Sequence, residues 1–163
     1  ILTTSTIQVS IPKGAEEGMR LRIRGAGEAG PNGGPPGDLY IVVHIADHPV
    51  FSRDGRDIVV EEPVTITQAA LGDEVKVPTL DGAAMVTIPP GTQTGTVFRL
   101  KGKGLPNLDG RGHGDQFVRV LVRTPTKLTP EQKELMRQLA KSLGDAAGEE
   151  RRKSVFDGFK RRV

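Results

Sequence analysis

The sequence predicts an all-β chain made of two copies of one unit and followed by a helix, and three observations support this. Sliding the chain by 77 positions brings Val9, Ile11, Pro12, Gly14, Gly18, Arg22, Gly25, Gly27, Gly33, Gly37, Asp38 and Val43 onto Val86, Ile88, Pro89, Gly91, Gly95, Arg99, Gly102, Gly104, Gly110, Gly114, Asp115 and Val120 without a gap. The composition is 36% hydrophobic but only 4% aromatic, with no Trp, so the cores must be built from Val, Ile and Leu, whose β-branched members favour strands. The 21 Gly and 12 Pro imply many turns.

The second copy can be traced as a whole from about residue 52 to Leu128, whereas residues 1–51 match only its later part. The expected organisation is therefore an incomplete first unit at 1–51, a complete second unit at 52–128, and a helical segment with a basic tail at 129–163. Ile1 in place of an initiator Met agrees with a piece of a longer protein.

Within the first copy, Ile7, Val9 and Ile11 alternate with polar residues and read as a strand that Pro12 ends by denying the ladder a donor. Met19, Leu21 and Ile23 alternate with Arg20, Arg22 and Arg24, a half-buried strand stopped by Gly25 and Gly27. Residues 25–37 hold six Gly and three Pro without periodicity and form an ordered turn system or a mobile loop, neither of them helical. Asp38 then opens Leu39 to Ile45, a nearly continuous apolar run that reads as a strand covered on both faces, or nearly so.

In the second copy these strands become Met85 to Ile88, Val97 to Leu100 and Phe117 to Val122. Between the copies, Asp57 to Val60, Val64 to Thr67 and Glu74 to Val77 are short β-rich stretches, with Asp54-Gly55 and Asp81-Gly82 as hairpin turns. Thr67 to Leu71 can make one helical turn that Gly72 stops.

After Leu128 the pattern changes. Thr129 is an N-cap, Pro130 occupies the first helical position and Gln132 completes a capping box. Leu135, Leu139 and Leu143 recur every four residues, joined by Met136 and Ala140, and Gly144 is a natural stop. This stripe either packs on its own chain or pairs with its counterpart in another. A further short helix from about Gly148 would carry Val155, Phe156 and Phe159.

Little in the chain suggests reaction chemistry. Zero Cys removes disulfides, thiolate catalysis and cysteine-ligated zinc, and fits a reducing, cytoplasmic setting. There is no apolar run of the roughly 18 residues a membrane helix needs. Net charge is only +3, and the tail cations Arg151, Arg152, Lys153, Lys160, Arg161 and Arg162 come without aromatic stacking residues, so neither membrane nor nucleic acid is an expected partner.

Gly25-Ala26-Gly27-Glu28-Ala29-Gly30 spells GxGxxG, yet that fingerprint works only when a helix N-terminus follows to meet a pyrophosphate, and Pro31, Pro35 and Pro36 follow here. His44, His48 and His113 are too scattered to suggest a metal site. Asp38 and Asp115 follow Gly at strand starts, where a carboxylate caps backbone N–H groups. No catalytic residues, metal ligands or bound cofactor are expected. What such a scaffold can do is accept an extended polypeptide at a sheet edge, with apolar pockets for its side chains.

Several motifs carry a resemblance. Ile11-Pro12-Lys13-Gly14, Gly18-Met19-Arg20-Leu21-Arg22, Gly33-Gly34-Pro35-Pro36-Gly37-Asp38-Leu39-Tyr40 and His48-Pro49-Val50-Phe51-Ser52-Arg53-Asp54-Gly55 resemble the C-terminal region of DnaJ-type heat-shock co-chaperones. So do Ala69-Ala70-Leu71-Gly72, Ile88-Pro89-Pro90-Gly91-Thr92-Gln93-Thr94-Gly95 and Arg99-Leu100-Lys101-Gly102-Lys103-Gly104, in the family's order, from about Ile7 to Leu143.

The resemblance implies two tandem β-sandwich-like client-binding subdomains, the first incomplete here, and a C-terminal helical segment for homodimerisation through Leu135, Met136, Leu139 and Leu143. It implies unfolded clients and a DnaK-type chaperone as partners, and zinc only in a cysteine-rich module upstream of this chain. The His-Pro-Asp motif that contacts DnaK is absent, since His48-Pro49 is followed by Val50.

By the same resemblance Ile7 and Ile41 line a peptide pocket, with Val9 and Val43 as additions that alternation could turn into the core. The 77-residue shift maps Ile7 and Ile41 to Ala84 and Val118, a shallower second site. The rival reading is a structural β-repeat assembly module that selects no clients.

Overall fold

The computed structural model describes residue 4 and residues 6–144, in which strands dominate. The described residues up to Arg123 form one compact unit, and Thr124 begins a second. In the first unit lie β1 (Arg20–Ile23), β2 (Leu39–Val42), β3 (Phe51–Asp54), β4 (Asp57–Thr65), α1 (Ile66–Leu71), β5 (Asp73–Thr79), β6 (Gly82–Ile88), β7 (Val97–Leu100) and β8 (Gln116–Arg123). In the second lies α2 (Pro130–Leu143).

The complete repeat is a two-layer β-sandwich. One layer is a four-stranded sheet in the order β3-β4-β8-β7, the other the β5-β6 hairpin. Strands β4 and β8 run parallel, from Ile58 beside Gln116 to Thr65 beside Arg123, while β3 and β7 flank them antiparallel. Alternation sends Val60 and Val64 of β4 and Val118 and Val120 of β8 inward, where they meet Val75, Val77, Val86 and Ile88 of the hairpin and Ala69 of α1. The buried amide of Gln116 donates to the Pro78 carbonyl at 2.7 Å and so ties β8 to β5.

Two expected strands, Asp57 to Val60 and Val64 to Thr67, are one. β8 runs alongside β4 without a break, and Pro63 falls beyond the reach of β3, which covers only Asp57 to Val60. The strand stops at Thr65, whose hydroxyl accepts from the Gln68 amide while Gln68 reaches back to the Thr65 amide; this capping box starts α1 at Ile66. Gly72 ends α1 with its N–H on the Gln68 carbonyl at 2.9 Å.

The first repeat is thinner. β1 and β2 pair only with each other among the described residues, Leu21 beside Ile41 and Ile23 beside Leu39. Residues Ile7 to Ile11 form no strand, a correction to the alternation reading. Alternation selects a face only where a partner supplies ladder hydrogen bonds, and none lies beside them among the described residues. The Leu39 to Ile45 run is also not covered on both faces: Tyr40 is 58% exposed and Val42 46%, because among the described residues no second layer lies over that side of β2.

Where both copies are present they superimpose bond for bond. β7 is β1 moved by 77 residues, and the pair Leu21 with Ile41 becomes Phe98 with Val118. Gly18 donates to the Val43 carbonyl at 2.9 Å and Gly95 to the Val120 carbonyl at 2.7 Å; Gly27 donates to Gly37 and Gly104 to Gly114, both at 2.8 Å.

α2 starts as the sequence predicts, with the Thr129 hydroxyl accepting from the Gln132 amide and the Gln132 side chain accepting from the Thr129 amide. Gly144 follows its last turn. The helix expected from Gly148, with Val155, Phe156 and Phe159, lies outside the described residues.

Candidate functional site

The β1-β2 ribbon sorts its side chains into two faces. Leu21, Ile23, Leu39 and Ile41 share one face and are half-buried; Arg20, Arg22, Tyr40 and Val42 share the other and are exposed. Continuing the alternation past β2, Val43 falls on the side of Ile41 and is buried, its N–H donating to the Met19 carbonyl at 2.8 Å. Ile41 therefore presents part of an apolar surface, whereas Val43 belongs to the packing beneath it.

Ile7 and Val9 lie in the segment before β1, Ile7 38% exposed and Val9 half-buried, and no ladder joins them to β2. Tyr40 and Val42 escaped the sequence reading, because a continuous apolar run hides which alternate positions face water.

The second copy places its equivalents differently. Val118 is 0% exposed, between β4 and β7 and under the β5-β6 layer, so no ligand can reach it. Ala84 is half-buried on β6, opposite the fully buried Val77. The same register position is thus sealed where the sandwich is complete and open where a single ribbon stands.

Arg22 and Asp38 hold the ribbon together. The Arg22 Nε donates to Asp38 Oδ2 at 2.6 Å, and the Gly25 N–H donates to Oδ1 at 3.0 Å. The Gly25 hydrogen bond, reinforced by Arg22, keeps the Asp38 carboxyl below its usual range. Gly25 has φ of 70°, a left-handed turn that glycine enters without a side-chain clash. Residues after Gly30 form a single 3-10 turn, Pro31–Gly33, where a dinucleotide fingerprint would require a helix.

The histidines have local partners. His44 Nδ1 lies 2.7 Å from a Glu17 oxygen, His48 Nδ1 accepts the Val50 and Phe51 amides, and the backbone of His113 forms an isolated antiparallel bridge with that of Pro106. On α2, Leu135, Met136, Leu139 and Leu143 are all exposed, Leu135 at 57%. Among the described residues no helix is long and apolar enough to cross a membrane.

The DnaJ C terminal domain family matches residues 2–125, and the Chaperone protein DnaJ C-terminal region matches residues 131–162. The chain is 50% identical to the Chaperone protein DnaJ of Clostridioides difficile over 160 residues, 96% of this chain and 42% of that protein. It is 55% identical to that of Brevibacillus choshinensis over 143 residues, 88% and 38% of the two chains. With that of Parageobacillus thermoglucosidasius it shares 61% identity over 132 residues, 81% and 35%. The chain thus spans about two-fifths of the length of the relatives it matches. With the motifs, the repeated β architecture and these matches in agreement, this chain belongs to the DnaJ family and corresponds to its C-terminal region.

Proposed function

We propose that this chain binds extended, apolar segments of unfolded polypeptide, as the client-binding part of a DnaJ-type co-chaperone that delivers clients to a DnaK-type partner. The observation that carries the reading is the β1-β2 ribbon: among the described residues β2 is paired along one edge, and its apolar residues stay partly open to water. An extended peptide can add to such an edge through main-chain hydrogen bonds while Ile41 and its neighbours accept its side chains. Ile7 and Val9 form an adjoining apolar wall in this reading, and Val43 supports Ile41 from below.

The work is binding, with no covalent step, in a cytoplasmic setting. The exposed stripe of Leu135, Met136, Leu139 and Leu143 serves homodimerisation, which sets two weak peptide sites on one assembly and raises their effective concentration. Zinc, where the family carries it, belongs to a cysteine-rich module outside this chain.

The test is aggregation of a chemically denatured model protein, followed by light scattering as the chain is added. Client binding predicts dose-dependent suppression. A module that only assembles with its own copies would leave the scattering curve unchanged.

A further inference from the structure

An open cleft of about 1020 Å³ lies where the two repeats meet. The first repeat contributes Glu16, Glu17, Ile45 and Asp47 to its lining, and the second contributes Leu80 and further apolar side chains. Ile45 is 41% exposed and Leu80 47%, so both present apolar surface to whatever enters. At this size the cleft sits at the upper end of small-molecule sites, and its openness suits a stretch of chain better than an enclosed ligand.

The charges are one-sided. Three carboxylates line the cleft against one guanidinium, that of Arg53. Arg53 is also committed structurally: its Nη1 donates to the Ala15 carbonyl at 2.7 Å and its Nε to the Gly55 carbonyl at 2.8 Å, tying the repeats together at the cleft. Glu17 is held in place by the Ile45 N–H at 2.5 Å and by His44 at 2.7 Å, whereas no hydrogen bond engages the side chains of Glu16 and Asp47 among the described residues.

All three carboxylates come from the first repeat, and Leu80 comes from the second. We propose that this cleft is a second polypeptide-binding surface, and that it takes extended segments in which Lys or Arg alternates with bulky apolar residues. Period-two alternation places the cations of an extended segment on one side and its apolar side chains on the other, matching an acidic wall and an apolar wall. Complementary charge selects such a segment over an acidic one of equal hydrophobicity. The proposal rests on the client-binding reading but uses residues that the β1-β2 surface does not.

The test uses three fluorescein-labelled peptides titrated into the full chain and followed by anisotropy: Gly-Leu-Lys-Val-Lys-Leu-Gly, its Glu counterpart and its Ser counterpart. The Lys peptide binds about tenfold more tightly than the Glu peptide at low salt, and the gap closes as salt is raised. The double change Glu16→Gln, Asp47→Asn removes most of that gap, and Leu80→Ser weakens the Lys peptide, both with wild-type melting curves because these side chains are exposed.

Equal affinity for the Lys and Glu peptides, no binding of the Lys peptide, or no response to Leu80→Ser overturns the cleft. If Ile41→Asp abolishes binding of all three peptides while the cleft variants do nothing, the cleft fails and the client reading stands. If Ile41→Asp leaves the Ser peptide untouched while the cleft variants weaken the Lys peptide, the β1-β2 site fails and the cleft stands.

Discussion

Arg99 and Asp115 reproduce, 77 residues later, the clasp that Arg22 and Asp38 make: Arg99 Nε lies 2.7 Å from Asp115 Oδ2, and the Gly102 N–H lies 2.8 Å from Oδ1. Each clasp closes the loop between two paired strands at the point where the chain leaves the first, so the repeat conserves a loop-closing device and not a reactive group. The second clasp is the more sheltered, since Asp115 also gives its own N–H to Asp57 at 2.7 Å.

These clasps make stability sensitive to acid. The Gly102 hydrogen bond, followed by Arg99, lowers the Asp115 pKa, and Gly25 followed by Arg22 lowers that of Asp38. A depressed native pKa stabilises the fold above the unfolded value, about 4, and that contribution is lost as pH falls through the lower native value. Melting temperature should hold from pH 7 to about 4 and then fall. Asp115→Asn should lower it at pH 7 and flatten the acid limb, whereas an unchanged limb would contradict the role of the clasp.

Glu62 works in the opposite direction. It occupies an inward position of β4 between the buried Val60 and Val64, and burial alone raises its pKa. A raised carboxyl pKa favours the fold when protonated, and this advantage disappears as pH rises through the unfolded and then the native value. Glu62→Gln should therefore raise the melting temperature at pH 7 and leave it unchanged near pH 3. A loss of stability at pH 7 would mean that Glu62 has an ionic partner.

Two glycines separate conformational demand from close approach. Gly102 has φ of 72° and open space where a Cβ would go, so Gly102→Ala should cost about 1 kcal/mol, the left-handed penalty alone. A Cβ on Gly104 would lie 2.5 Å from the Gly114 carbonyl carbon and 2.6 Å from the Arg56 oxygen. Gly104→Ala should then cost at least about 2 kcal/mol, because only backbone could give way. Urea unfolding of the two variants measures the difference, and equal costs would refute the distinction.

Much of the architecture could be read in the sequence, and what could not depended on partners distant in the chain. Val97 to Leu100 is a strand as the 77-residue shift predicts, and the capping box at Thr129 starts a helix as expected because its hydrogen bonds are local, whereas the Thr65 box that starts α1 lies inside the stretch expected to be strand. The parallel pairing of β4 with β8 was not legible, since it joins residues 58 apart, Ile58 with Gln116. Ile7 to Ile11 failed as a strand for want of a ladder partner. At the candidate site, Ile41 and Val118 share one repeat position, yet only the layers around them decide that one is half-open and the other sealed.

That difference predicts opposite phenotypes. Val118→Ala removes two buried methyl groups and leaves a cavity, so it should cost about 2–3 kcal/mol of stability in urea unfolding. At half-buried Ile41 the cost of truncation to Ala should be smaller, under about 1.5 kcal/mol. A Val118→Ala chain with wild-type stability would overturn its placement in the core.

The stripe on α2 offers a further test. In the proposed homodimer, Leu135→Glu with Leu139→Glu puts charge into an apolar interface, and sedimentation velocity should show monomer at micromolar concentration. A dimer that survives both changes would move the interface elsewhere. Thr129→Ala, which removes the cap hydroxyl, should cost the helix about 1 kcal/mol.

The most direct test of client binding at the β1-β2 ribbon is the affinity of the neutral peptide Gly-Leu-Ser-Val-Ser-Leu-Gly for the full chain, compared with its Ile41→Asp variant by fluorescence anisotropy. Circular dichroism melts should show that both remain folded. The account predicts an affinity at least about tenfold weaker for Ile41→Asp, since a carboxylate would sit where an apolar side chain must dock. Equal affinity of the two folded proteins would contradict it.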